Sequence, residues 1–220
     1  MEQIIDFIQK QPYETEVLII ENGSTDRTFQ IALEHSKDHP NIHVYHEDAR
    51  GKGLAIKSGM LKAKGCYRFF CDVDFSMPIG EINRFLPPVL PNADVAIASR
   101  ETPGAIRYHE PVYRHLTGRI FNTLVRWLIL PGLHDTQCGF KCFRAEVAER
   151  VFRLQTLTGW SFDAEVLFIA RRLGYTIVEV PISWYYNPDS RVRLIKDSFH
   201  MAQDMLKIRH NARSGIYDRR

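Results

Sequence analysis

Two aspartates one residue apart, Asp72–Val73–Asp74, follow the apolar run Phe69–Phe70–Cys71. Carboxylates spaced by two point to the same side of an extended chain. Paired hard oxygen donors suit Mg2+ or Mn2+, completed by water and the oxygens of a diphosphate. A bare Asp-x-Asp serves equally well in a solvated loop, so its position after an apolar run is what draws attention. Glu21–Asn22–Gly23–Ser24 and Ser99–Arg100 also stand at the ends of apolar runs. Gly51–Lys52–Gly53 opens a helix-like stretch, where free N–H groups and a lysine can meet an anion or a ribose edge; a plain helix cap has the same composition. It lacks Walker A spacing, Ser24 and Ser58 lack a Gly-x-Ser-x-Gly elbow, and the histidines form no H-E-x-x-H arrangement.

The elements that must position these groups can be read from periodicity. Residues 2–11 predict a helix, 16–21 (EVLIIE) a strand, and 23–26 a turn leading into a helix that runs to about Ser36. A second strand is predicted at 41–46, a helix at 51–65, and strands at 66–74 and 94–100. Strands alternating with helices of this length imply right-handed crossovers and a doubly wound, mostly parallel α/β sheet. Ligands of such sheets lie beyond the carboxyl ends of the strands, which would bring the three polar clusters to one edge. The second half predicts a basic, aromatic helix from about Tyr113 to Leu130, a loop at 134–140 leading to more helix, a strand at 175–182 and a helix near 194–210. We expect one domain over 1–220, with a first half (1–100), a second half (101–210) and a frayed tail (211–220).

With 45% hydrophobic and 25% charged residues, the 220-residue chain has the balance of a globular protein with a sizeable core. A net charge of +3 is too small for a polycation that seeks nucleic acid, although Arg107, Arg114, Arg119, Arg126, Arg191, Arg193 and Lys196 concentrate basic charge in the second half. The four cysteines, Cys66, Cys71, Cys138 and Cys142, lack metal-knuckle spacing and read as reduced, small apolar residues. The N-terminus does not resemble a signal peptide, and no run of about 18 apolar residues is present to span a bilayer. The expected location is therefore cytoplasmic, with any membrane contact peripheral.

Seven segments in order, VLIIENGSTDRT (17–28), GKGLAIKSGM (51–60), FFCDVDFSMP (69–78), IASR (97–100), DTQCGFKCF (135–143), WSFDAEVL (160–167) and EVPISW (179–184), resemble the family-2 glycosyltransferases, in their dolichyl-phosphate glucosyl- and mannosyltransferase branch. The resemblance implies an A-type nucleotide-sugar fold, with a nucleotide-sugar-binding half at 1–100 and an acceptor- and membrane-facing half at 101–210, and inversion at the anomeric carbon. It places Glu21, Asn22 and Gly23 at the nucleotide, with Glu-Asn where the family usually has Asp-Asp. Asp72, Val73 and Asp74 fall on the segment that holds metal and donor diphosphate, and Ser76 stands beside the metal where the mannosyl branch often has Gln. Lys52 and Arg100 fall near the donor, Arg191 or Arg193 on a basic loop that closes on the phosphates, and Asp135 joins Asp72, Asp74 and Arg100 as a catalytic candidate. DTQCGFK leans toward the glucosyl branch.

The implied reaction moves a hexose from UDP-glucose or GDP-mannose to a polyprenyl phosphate, an acceptor already ionised at pH 7 that needs no strong general base. Residues 116–130, with Arg119, Asn122, Thr123 and Arg126 at helical spacing and Ile120, Phe121, Leu124, Trp127 and Leu128 elsewhere, would lie as an amphipathic helix on the cytoplasmic face of a membrane; a core helix is the other reading. Competing functions are a non-catalytic nucleotide-sugar-binding or partner subunit, a sugar-nucleotide pyrophosphorylase (whose Gly-rich, Arg-containing opening loop is missing) and a glycosidase built on the carboxylate pair. Finally, IIDFIQKQ (4–11) corresponds to the helix that in the family follows a first strand. The resemblance therefore predicts a further strand between those at 16–21 and 66–72. Without it, unsatisfied backbone groups would cost about 1–3 kcal/mol each. Translation beginning upstream, closure of the two strands around a distorted site, or a strand from another chain are the three expectations, with weak or no activity for the chain alone.

Overall fold

A computed structural model describes residues 1–74, 76–111, 118–119, 122–123, 125–187 and 194–218. The β-branched run at its start forms β1 (Val17–Asn22), which pairs in parallel with β2 (Ile42–Glu47) in the register Val17↔Ile42 to Asn22↔Glu47. Helix α1 (Glu2–Gln9) precedes β1, α2 (Thr28–Ser36) connects the two strands, and α3 (Lys52–Lys62) leads to β3 (Tyr67–Cys71). β4 (Val95–Ser99), β5 (Ile106–Tyr108), β6 (Phe140–Arg144), β7 (Ile177–Pro181) and β8 (Ser183–Tyr185) follow. A four-stranded sheet has the order β3-β6-β4-β7, and β5 pairs with β8 in parallel. Because β6 runs antiparallel to both β3 and β4, while β4 and β7 are parallel, β6 is the one reversed strand of that sheet.

All five residues of β4 are buried, as expected of a strand covered on both faces. Its side chains alternate: Val95 and Ile97 join one core with Phe70, Phe143 and Phe152, while Ala96 and Ala98 join the other with Phe85, Phe140 and Ile182. The first core is closed by α4 (Ala145–Leu154) and α5 (Phe162–Arg172); on α4, Val147, Ala148, Val151 and Phe152 form the buried stripe of an amphipathic helix. The second core is closed by a short 3-10 helix, Ile79–Phe85.

Several expectations change. Residues 140–144 form a strand where sequence periodicity gave loop and helix, because a buried reversed strand carries no alternating polar face to announce it. The strand expected at 66–74 stops at Cys71. The expected frayed tail is docked: α6 (Leu194–Arg213) runs into it, and Tyr217 is fully buried, its hydroxyl donating to Glu165 Oε1 at 2.7 Å. Cys138 and Cys142 are buried as small apolar residues, but Cys66 is exposed; all four thiols are free. Among the described residues, no helix is long and apolar enough to cross a membrane.

The β1–β2 pair is a separate sheet. Glu16 Oε1, just ahead of β1, accepts from the N–H groups of Lys64 and Gly65, just ahead of β3, so the two strands start side by side. Among the described residues, neither β1 on the side away from β2 nor β3 on the side away from β6 has a strand partner. Val17, Leu18, Ile19 and Ile20 stay half-buried, unlike β4. An apolar strand fused ahead of α1 is expected to seat between β1 and β3. With about 0.5–1.5 kcal/mol per net hydrogen bond, and about 2–4 °C per kcal/mol for a chain of this size, it should raise the melting temperature by at least about 5 °C. An unchanged melting temperature would show that these edges do not accept a strand.

Candidate functional site

The carboxyl ends of β1, β3 and β4 carry the polar clusters picked out in the sequence, and a chain of contacts connects them. At the end of β1, Asn22 Nδ2 donates to the carbonyl of Gly51 at 2.9 Å. Gly23 has φ +70°, and a Cβ there would lie 2.8 Å from Arg50 Cγ. Glu21 faces inward rather than toward a ligand: it is 5% exposed, accepts from Ser24 N–H and meets His46 Nδ1 at 2.5 Å. The hydrogen bonds from Ser24, with the neighbouring His46, hold its carboxyl below the usual range; its bond to His46 raises that imidazole's pKa in turn.

Gly51–Lys52–Gly53 opens α3, as the sequence suggested, but its glycines serve close packing. A Cβ on Gly51 would lie 2.5 Å from the Thr158 carbonyl, and one on Gly53 2.7 Å from Phe162 Cβ. Lys52, between them, is directed at Asp72, with Nζ 2.7 Å from Oδ1 and 5.4 Å from the centre of the Trp160 ring. Burial opposes the charged ammonium, but Asp72 and Asp163 outweigh it and raise its pKa.

Asp72, Val73 and Asp74 lie in a turn after β3, so the alternation of an extended strand does not orient the two carboxylates. Asp72 is half-buried; its N–H donates to the Gly139 carbonyl at 3.0 Å, and a Cβ on Gly139 would lie 2.1 Å from Asp72 Oδ2. Asp74 is exposed and accepts from Ser76 N–H at 3.0 Å, and Val73 is 89% exposed at the mouth of the turn. Ser76 is buried, its carbonyl accepting from Tyr185 N–H at 2.7 Å. Among the described residues no group of three or more His, Cys, Asp or Glu side chains could hold a metal ion.

Arg100, just past β4, is tied to Asp135 by Nε–Oδ2 at 2.6 Å, Nη2–Oδ1 at 2.9 Å and its backbone N–H at 3.0 Å. Asp135 is fully buried. Burial pushes its carboxyl up, yet the charge and hydrogen bonds of Arg100 prevail and hold it at about 2. Both oxygens of Asp135, expected among the catalytic groups, are engaged by Arg100. Trp184 stacks on the other side of Arg100, 5.4 Å from its guanidinium carbon. Glu179 of β7 anchors the same loop by accepting from the N–H groups of His134 and Asp135. A cavity of about 110 Å3 beside this pair is lined by Glu101, Arg119, Asn122, Thr123, Arg126 and His134. Arg191 and Arg193 lie outside the described residues.

Other groups of the site carried no sequence signal of their own. Lys141, fully buried on β6, donates to the Cys138 carbonyl at 2.6 Å and pairs with Asp163, whose pKa burial raises. Glu165, also fully buried, accepts from Thr156 N–H at 3.0 Å, Leu157 N–H at 2.7 Å and the Thr156 hydroxyl at 2.6 Å. Gln155 Nε2 donates to the carbonyls of Gly53 and Leu157. Together they brace the loop that backs Lys52. Asp163 and Glu165 fall inside the WSFDAEVL segment and Lys141 inside DTQCGFKCF, which was the only hint available.

In comparisons with known proteins, residues 1–152 match the family described as Glycosyl transferase family 2. The dolichyl-phosphate beta-glucosyltransferase of Dictyostelium discoideum is 30% identical over 211 residues, covering 92% of this chain and 64% of that protein. The enzyme of the same name from Saccharomyces cerevisiae is 31% identical over 223 residues, covering 92% and 66%. This chain thus spans just under two thirds of the length of these curated relatives. Mannosyl-3-phosphoglycerate synthase from Rubrobacter xylanophilus superposes with a TM-score of 0.65 at 16% identity, covering 97% of this chain and 69% of that one. Glucosyl-3-phosphoglycerate synthase from Mycobacterium tuberculosis, in complex with Mn2+, UDP and glucosyl-3-phosphoglycerate, gives 0.62 at 18% identity, covering 97% and 75%. At such identities the likeness is one of fold: Rossmann-like, mostly parallel, of the nucleotide-diphospho-sugar transferase kind.

Breaking the buried pair should be costly. Asp135→Ala strands the Arg100 guanidinium and is expected to destabilise by roughly 3–5 kcal/mol in urea unfolding, whereas Arg100→Met with Asp135→Leu should recover most of that. Because the folded carboxyl titrates at about 2, below the ordinary value of about 3.9, its contribution is present above pH ~4 and lost as pH falls toward 2. A single-variant cost below about 1 kcal/mol would contradict this account.

Proposed function

The chain belongs to glycosyl transferase family 2, and from that premise we propose that it is an inverting hexosyltransferase of the A-type fold, moving a sugar from a nucleoside diphosphate to a polyprenyl phosphate. The observation that carries this reading is the placement of Asn22, Lys52, Asp72, Asp74 and Arg100 at the carboxyl ends of β1, β3 and β4 and the start of α3, with the contacts Asn22–Gly51, Lys52–Asp72 and Arg100–Asp135. The names of the relatives above support the lipid phosphate as acceptor and glucose as the sugar.

Asn22 and Gly23 would receive the nucleoside, with Glu21 shaping their loop from behind through Ser24. Asp72 and Asp74 would hold Mg2+ or Mn2+: two accessible carboxylates fit a hard cation whose other positions are filled by diphosphate oxygens and water. Such an ion supplies neutralisation of the charge that develops on the departing diphosphate. Lys52 and Arg100 add fixed positive charge on the same side, oriented in advance by Trp160, Trp184 and Asp135. An acceptor phosphate is already an anion and attacks without losing a proton, which agrees with a site whose buried Asp135 is spent on Arg100. The cavity lined by Arg119, Arg126 and His134 offers positive charge for that phosphate.

Membrane contact at the cytoplasmic face is supported by one helical stretch: Trp127 is 84% exposed beside half-buried Arg126, while Val125 and Ile129 are buried. Asn122, expected on the polar face, is instead buried. A second reading, a chain that binds a nucleotide sugar without turning it over, is favoured by the separation of β1 from β3, since among the described residues no strand pairing ties the nucleotide-binding end to Asp72.

Three measurements follow from this reading. Release of UDP rather than GDP from a donor panel with polyprenyl phosphate should identify the donor, and no release from any donor would favour the non-catalytic reading. Excess chelator should abolish transfer, and Asp74→Ala should lower turnover by about 10²–10³ while leaving the fold intact; full activity in chelator excludes the metal role. Anionic liposomes should carry the protein in flotation, and Trp127→Glu should release it. Absence of the wild type from the floating fraction rules out membrane contact through this helix.

A further inference from the structure

Lys52 occupies the position at Asp72 that a second cation would want. Its Nζ lies 2.7 Å from Oδ1, and Asp72 is its partner in that ion pair. Neither side is free to drift. The backbone of Lys52 is fixed by Gly51 and Gly53, each packed too tightly against residues 157–162 to carry a side chain. Its ammonium sits beside the Trp160 ring at 5.4 Å and its side chain is only 23% exposed. Asp72 is held through its own N–H by the Gly139 carbonyl, and the α-carbon of Gly139 closes the space next to Oδ2. A divalent ion bonded to the Asp72 carboxylate, about 2.0–2.2 Å from an oxygen, would therefore face a poorly hydrated ammonium a few ångströms away. Among the described residues the other carboxylate that acts on Lys52, Asp163, is buried and already neutralised by Lys141. An anion arriving with a ligand would give Lys52 somewhere else to go.

We propose that Lys52 is a built-in counter-cation that keeps Asp72 closed to a divalent metal until a nucleoside diphosphate draws the ammonium onto its own oxygens, so that metal and diphosphate bind as a coupled pair. This rests on the reading of Asp72 and Asp74 as the metal carboxylates. Coupling of this kind is reciprocal: whatever the diphosphate does to metal affinity, the metal does to diphosphate affinity.

The test reads Mn2+ binding by the electron paramagnetic resonance of the free ion, with and without UDP, allowing for the ion that UDP binds in solution. Wild type should bind Mn2+ at least about ten-fold more tightly with UDP than without, within the 5–150-fold span typical of coupled sites. Lys52→Gln should bind Mn2+ about ten-fold more tightly than wild type without UDP, and its gain on adding UDP should shrink to about three-fold or less. Lys52→Arg, which keeps the charge, should stay as weak as wild type. Asp74→Ala separates the two readings. If it loses Mn2+ while Lys52→Gln gains nothing without UDP, the counter-cation role is wrong and the metal site stands; if it binds Mn2+ as well as wild type, the metal site itself is wrong. Tight Mn2+ binding to wild type without UDP overturns the proposal without recourse to any variant.

Discussion

A guanidinium that meets a fully buried carboxylate must be held by more than attraction, because each ion loses several kcal/mol of hydration on leaving water. Asp135 meets that condition with two side-chain bonds and one backbone bond to Arg100, while Glu179 secures the N–H groups on the other side of the same loop. The rest of the site depends on this fastening. Residues 135–139 run from Arg100 at the end of β4 to Gly139 against Asp72 at the end of β3, so the loop sets the separation of the two charged clusters. A Cβ at 139 would lie 2.1 Å from Asp72 Oδ2, so any other residue there would displace the carboxylate.

A second layer of buried charge lies below. Lys141 and Asp163 neutralise one another with almost no solvent contact, and Glu165 is satisfied by Thr156, Leu157 and Tyr217. Each of these buried ions is matched because an unmatched one is costly in a low-dielectric interior. The consequence for the surface is rigidity: the loop braced by Glu165 and Gln155 supports the glycines around Lys52, and Lys52 faces Asp72. Preorganised charge of this kind is what phosphate departure requires of a protein, since reorienting dipoles at the moment of reaction would use up the stabilisation they supply.

The split between the β1–β2 pair and the four-stranded sheet shows where this order stops. Among the described residues β4 and β6 are largely buried and paired on both sides, whereas β1 and β3 each have a strand partner on one side. The half that carries Asn22 and Gly23 is joined to the other through α3, the Glu16 carboxylate and side-chain contacts, all of them weaker guides to geometry than a strand ladder.

By itself the sequence determined the succession of β1, β2, β3 and β4, because parallel strands with crossover helices leave apolar runs punctuated by polar clusters, and those clusters stand at the carboxyl ends of β1, β3 and β4. It also marked Asp72, Asp74, Lys52 and Arg100, charges that stand at strand and helix ends. Only the tertiary structure decided what each charge is for. Asp135 and Arg100 lie 35 positions apart, and Lys141 and Asp163 22 apart, so no local pattern links them. Nor could spacing reveal that Glu21 turns inward, that β6 reverses direction, or that Tyr217 docks in the core. Periodicity reports which face of an element is apolar; which buried charge meets which is settled by packing, where desolvation leaves an ion only the partner the fold delivers.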